Sequence, residues 1–101
     1  MNRRFQLFEQ WYKNQIPVWE QNTIFIDKVY QSDYAHQYHI ELHSENGLGR
    51  ISLYESNDIY WVDFEAGSVN ADEMFFRANI SYHEIEDIVK ENEEFIQYMT
   101  L

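Results

Sequence analysis

Residues 37–65 read QYHIELHSENGLGRISLYESNDIYWVDFE, and this stretch decides the fold. In its first segment Tyr38, Ile40 and Leu42 alternate with His39, Glu41 and His43, the period of a half-buried strand. Asn46-Gly47 follows, the strongest short-range hairpin signal in the chain. Residues 48–55 make the next strand, and Ser56-Asn57-Asp58 turns it into another over residues 59–65. Strands joined by such short turns run antiparallel. The last of them is apolar on both sides: Ile59 and Trp61 face one way, and Tyr60, Val62 and Phe64 face the other. A two-sided strand either sits centrally under a second cover or exposes an apolar patch used for binding.

Working outward, residues 23–31 (TIFIDKVYQ) are rich in β-branched and aromatic side chains and read as a preceding strand. Residues 66–72 (AGSVNAD) read as a loop, and residues 74–80 (MFFRANI) as a fifth strand. At the N-terminal end Phe5, Phe8, Trp11 and Tyr12 recur at spacings of three and four, which predicts an amphipathic helix over residues 3–15. Asn14 and Pro17 interrupt that pattern, so residues 16–21 are a kinked continuation or a short second turn. At the other end Ser81-Tyr82-His83-Glu84 has the form of a capping box. Behind it Ile85, Ile88, Val89, Asn92, Phe95, Ile96 and Met99 keep helical spacing, with Glu84, Glu86 and Asp87 placed where the helix dipole favours negative charge. The prediction is an α+β fold: an N-terminal helix, a five-stranded antiparallel meander and a C-terminal helix, with both helices on one face of the sheet.

Composition agrees with one small domain over residues 1–101. Phe, Tyr and Trp make up 18% of the chain, enough aromatic area to hold a modest core together. Cysteine is absent, and no apolar run resembles a signal peptide or a membrane span, which points to the cytoplasm. Eighteen acidic residues against seven Lys and Arg give a net charge of −11. That field repels nucleic acid and anionic membrane, so neither is an expected partner, and it favours encounter with a cationic protein.

Catalytic and metal signatures are weak. His39 and His43 share a strand face with Glu41, and His36 is close in sequence. Same-face residues four apart on a strand stand about 13 Å from each other, too far for one ion. Asp63 and Glu65 share a face of their strand, and Asp72 and Glu73 flank the fifth strand, but no nucleophile with a positioned base accompanies them. Gly47, Gly49 and Gly67 make no phosphate-binding loop. The expectation is no catalytic site, no metal and no cofactor. The acidic run Glu84, Glu86, Asp87, Glu91, Glu93 and Glu94 is either a solvated helix face or a means of steering a basic partner.

Residues 49–55 (GRISLYE), the acidic and aromatic strand over 59–65, the fifth strand and residues 81–95 (SYHEIEDIVKENEEF) resemble the TriTu family of bacterial immunity proteins. Those small acidic proteins carry a similar GRITVWESG-like strand and turn, an acidic strand after it and a capped acidic terminal helix. Their Phe/Trp-rich first helix is similar to residues 5–11. The chain departs from them at Pro17 and in the Asn57-Asp58 turn, which lacks a glycine. The resemblance implies an immunity protein that binds and neutralises the C-terminal toxin domain of a contact-dependent growth inhibition or related polymorphic toxin system. It implies a transfer-RNA nuclease as the toxin, in some cases acting within a larger assembly with elongation factor Tu.

On that reading an acidic, aromatic-containing surface covers the cationic groups that a nuclease presents to phosphates. Tyr54, Asp58, Tyr60, Asp63, Glu65, Asp72 and Glu73 are the expected contact residues, all taken to lie on turns or strands away from the helices. A reading from another class is an acidic adaptor or regulatory subunit that binds a basic protein unrelated to a toxin.

Overall fold

The computed structural model describes residues 3–32, 36–69 and 74–101. The elements are α1 (Arg3–Gln21), β1 (Phe25–Ser32), β2 (Gln37–His43), β3 (Gly47–Ser56), β4 (Ile59–Ser68), β5 (Met74–Ser81) and α2 (Glu86–Met99). The strands form one five-stranded sheet in the order β1-β2-β3-β4-β5, each antiparallel to the next. Both helices lie on the same sheet face, as the sequence predicts.

The pairing register shows how that face is built. Tyr38, Leu53, Val62 and Ile80 stand opposite one another across β2 to β5, and Ile40, Ile51, Phe64 and Ala78 form the next row. Tyr38 meets the rings of Phe5, Phe8 and Tyr12 from α1, while Phe64 lies between Trp11 of α1 and Phe95 of α2. Ile40, Ile51, Leu53, Val62, Phe64 and Phe95 are fully buried. Each aromatic ring removes a large apolar area from water, and the edge-to-face geometry adds a smaller contribution.

The third row explains two glycines. Leu42, Gly49, Ala66 and Phe76 stand opposite one another, and the C-terminal turn of α2 settles on the two small residues. A Cβ at Gly49 would lie 2.6 Å from the Phe95 ring and 2.9 Å from the Met99 sulfur. One at Gly47 would lie 2.9 Å from the Ser44 hydroxyl and 3.2 Å from the Met99 sulfur. These glycines are therefore clearance for a helix. None of Gly47, Gly49 and Gly67 has a positive φ.

The β2–β3 hairpin forms where Asn46-Gly47 signals it, but with Glu45-Asn46 at its tip. Gly47 is already in β3, its carbonyl accepting the Ser44 amide and its amide bonding to the Ser44 hydroxyl. The left-handed turn lies instead at Asn57-Asp58, with φ of 51° and 65°. Asn and Asp tolerate that region best after glycine, and the Glu55 carboxylate accepts the Asp58 amide at 2.8 Å.

Of the two readings for residues 16–21, continuation holds, and one loop boundary is corrected. The helix over 3–15 continues to Gln21, through an exposed Pro17. What holds the added turns is Trp19, buried to 1%, whose indole N–H donates to Asn92 Oδ1 at 3.1 Å. Asn92 Nδ2 in turn donates to Gln15 Oε1, so one buried amide ties the two helices together. Part of the expected loop over 66–72 belongs to β4, which continues to Ser68 opposite Gly47; residues 70–72 of that loop lie outside the described residues.

The capping box does not form. Ser81 is held in β5 opposite Trp61, too early to cap. The Asp87 carboxylate accepts the amides of His83 and Glu84 at 2.8 and 3.0 Å and does the capping from inside the helix. Those backbone bonds hold its acid below the usual carboxylate range. The cap is therefore present at neutral pH and is lost as acid protonates Asp87 below its unfolded value. Asp87→Ala should cost about 1 kcal/mol in urea unfolding at pH 7, with the difference shrinking at strongly acidic pH.

Candidate functional site

The opposite sheet face carries no helix, and among the described residues nothing covers it. Four cross-strand rows occupy it. At the β3–β4 turn end, Gln37, Tyr54, Trp61 and Ser81 align, and Tyr54 stacks on Trp61 with centroids 5.5 Å apart. Next come Tyr30, His39, Ser52, Asp63 and Asn79. The third row is Lys28, Glu41, Arg50, Glu65 and Arg77, alternating in sign across all five strands. The fourth is Phe25, His43, Leu48, Gly67 and Met74.

Each row is locked by its own chemistry. His39 is 6% exposed and lies stacked on Tyr30, with centroids 4.8 Å apart and Tyr54 edge-on at 5.6 Å. Its Nε2 is 2.7 Å from Gln37 Oε1 and its Nδ1 2.7 Å from Ser52 Oγ. A carbonyl oxygen only accepts, so Nε2 carries the proton and Nδ1 accepts from the serine hydroxyl. Burial first, and the Arg50 charge second, push the imidazole below its ordinary pKa against the pull of Glu41.

A depressed histidine pKa means that the unfolded chain binds the proton more readily. The contribution of His39 to stability is thus complete above the unfolded value and fades as pH falls toward the folded one. Chemical denaturation between pH 7 and 5 should show stability falling, with a shallower fall in His39→Gln.

In the charged row Arg50 lies 3.6 Å from the Glu65 carboxylate. Burial pulls the arginine down, but Glu65 and the Tyr54 and Tyr30 hydroxyls outweigh it and hold the guanidinium charged. Below this row, Leu48, Gly67 and Met74 border an open depression of about 450 Å³ that also touches Glu41, Arg50 and Glu65. Gly67 supplies the hollow between two exposed apolar side chains.

Of the expected contact residues, Tyr54, Asp63 and Glu65 are on this face, with Asp63 accepting from the Asn79 amide. Asp58 is exposed on the β3–β4 turn. Tyr60 is corrected: it is 8% exposed on the helical side, against Phe5 and under the Arg4 guanidinium at 4.6 Å. Alternation already separates it from Asp63 and Glu65, since residues an odd number apart on a strand face opposite ways. Asp72 and Glu73 lie outside the described residues. Trp61, left out of the contact set, is half-buried on the open face beside Tyr54.

The acidic character is distributed unevenly. Glu65 is matched by Arg50 beside it and Arg77 opposite, and Glu41 by Lys28 and Arg50. Excess negative charge gathers on α2 and the turn before it, where Glu84, Glu86, Glu91, Glu93 and Glu94 accompany a single Lys90. His36 and His43 are taken up separately by Glu55 at 2.7 Å and Asp27 at 2.6 Å. Among the described residues no group of three or more His, Asp or Glu is placed to hold a metal ion. Among them, too, no helix is long and apolar enough to cross a membrane.

Lys28, Arg50, Arg77, Leu48 and Gly67 were missed because a site drawn from acidic and aromatic residues passes over cations and glycine. The usable signal was register: turn lengths place Arg50 opposite both Glu41 and Glu65. Comparison with known proteins finds no matching family profile, no matching curated protein and no matching solved structure.

Proposed function

We propose that this chain is a non-enzymatic immunity protein, acting in the cytoplasm, that neutralises a toxin domain by covering it with the open face of its sheet. The observation that carries this reading is the face itself. Five strands present ordered rows of aromatic, hydrogen-bonded, charge-alternating and apolar side chains with no helix above them. An ordered surface of that kind fits the anatomy of a protein interface, with aromatic anchors and arginine near its centre. The resemblance to the TriTu immunity proteins supplies the kind of partner, a transfer-RNA-cleaving toxin domain, which in turn is the route to any assembly with elongation factor Tu.

The charge distribution suits a division of labour. The carboxylates of α2 attract a cationic nuclease from a distance, and the open face makes the close contacts. An interface of standard size buries roughly 1,200–2,000 Å² in total. The test is to mix the protein with the toxin domain encoded beside its gene and to follow both complex formation and transfer-RNA cleavage. A stable complex that stops cleavage is expected. Absence of a complex at micromolar concentration would falsify the immunity reading.

A further inference from the structure

The protein has far more carboxylates than cations, 18 against seven, yet two of its arginines converge in one hollow. Arg3 and Arg4 of α1, Leu7, Tyr60 and His83 line a depression of about 380 Å³ at the end of the molecule away from the α1–β1 turn. No acidic residue lies in the first turn of α1. Among the described residues neither guanidinium forms an ion pair.

Arg4 is the unusual member. The central carbon of its guanidinium lies over the Tyr60 ring, 4.6 Å from the centroid, a cation–π contact that restricts its position. Its Nε is buried and has no hydrogen-bond partner among the described residues. A buried unsatisfied donor on a charged group is costly, and an anion on the outer N–H groups of the same guanidinium offsets that cost by neutralising the charge. The Asp87 carboxylate accepts the His83 and Glu84 amides at Oδ2, and among the described residues it forms no ion pair with either arginine. Tyr82 beneath is buried and donates its hydroxyl to the Arg4 carbonyl at 3.3 Å, which anchors this turn of helix to the segment carrying His83.

From this geometry we infer that Arg3, Arg4 and His83 form a binding pocket for a small oxyanion, a phosphate or carboxylate group. A planar guanidinium offers two parallel N–H donors that match either group, and the cation–π contact with Tyr60 limits how far they can swing. The pocket is on the helical side of the molecule, so it works independently of the open sheet face. A net charge of −11 disfavours non-specific anion uptake, so saturable binding requires this local positive potential.

The experiment is a titration of the isotope-labelled protein with sodium phosphate and, separately, with sodium acetate, at constant ionic strength. The expected result is a saturable shift of the Arg4 Nε–H and His83 amide signals with a dissociation constant on the order of 1–10 mM. Arg4→Gln and the exposed Arg3→Gln should each weaken it about tenfold, and Lys90→Gln should leave it unchanged. Tighter binding of phosphate assigns the pocket to phosphate groups; tighter binding of acetate assigns it to carboxylates. Shifts that stay linear with concentration, or equal affinity in Arg3→Gln, overturn the assignment. Because Arg3 is exposed, that second variant keeps the test valid if Arg4→Gln fails to fold.

Discussion

Trp19→Ala should lower the unfolding free energy by about 3–5 kcal/mol, a large share of the roughly 5–15 kcal/mol that keeps a domain folded. Trp19 is 1% exposed and packs edge-on against Trp11, with centroids 5.9 Å apart. Truncation removes its apolar area and leaves a cavity between the two helices. It also strips the buried Asn92 Oδ1 of its donor, leaving an unsatisfied acceptor in the core. Trp19→Phe weights the two effects differently: it keeps an aromatic ring in the core but loses the hydrogen bond and a smaller volume, so it should cost about 1–3 kcal/mol. Urea unfolding of the three proteins, followed by circular dichroism, measures the difference. Equal stability of Trp19→Phe and wild type would show that the Asn92 link contributes nothing.

Gly49→Val should cost about 1–3 kcal/mol, in this case by adding atoms instead of removing them. The first added carbon already falls 2.6 Å from the Phe95 ring and 2.9 Å from the Met99 sulfur. Phe95 is fully buried against Phe64 and has little room to retreat, so the C-terminal turn of α2 must lift from the sheet. Phe95→Leu in the Gly49→Val background should recover part of the loss by opening space. A stable Gly49→Val protein with unchanged α2 amide exchange would contradict this packing account.

These two sites also show which features were legible in the sequence. Element order and sheet topology could be read because alternation in β2 and helical spacing in α2 are strong local signals. The tertiary role of Gly49 could not, because its neighbours Phe95 and Met99 lie far away in the chain. Asn46-Gly47 marked a real hairpin but not the reason for its glycine: Gly47 gives clearance to α2, while the left-handed turn falls to Asn57-Asp58. Pro17 left two readings open, and tertiary contacts through Trp19 and Gln15 select the continued helix. The capping box failed because Ser81 pairs in β5, leaving Asp87 to cap.

The candidate site was half legible. Tyr54, Asp63 and Glu65 follow from alternation, and the same rule turns Tyr60 inward. What composition hid is that the open face is electrically patterned, with Lys28, Arg50 and Arg77 set against Glu41 and Glu65. A net charge says how much negative potential exists and nothing about where it gathers.

The most direct measurement compares association and dissociation rates of the toxin-domain complex for two sets of variants. One set changes the open face, with Trp61→Ala and Arg50→Glu; the other reverses charge on α2, with Glu86→Lys and Glu93→Lys. The open-face variants should dissociate at least about tenfold faster, while the helix variants should mainly associate more slowly and lose that difference at high salt. Unchanged dissociation in Trp61→Ala and Arg50→Glu, together with fast dissociation in the helix variants, would place the contact on α2 and contradict the account.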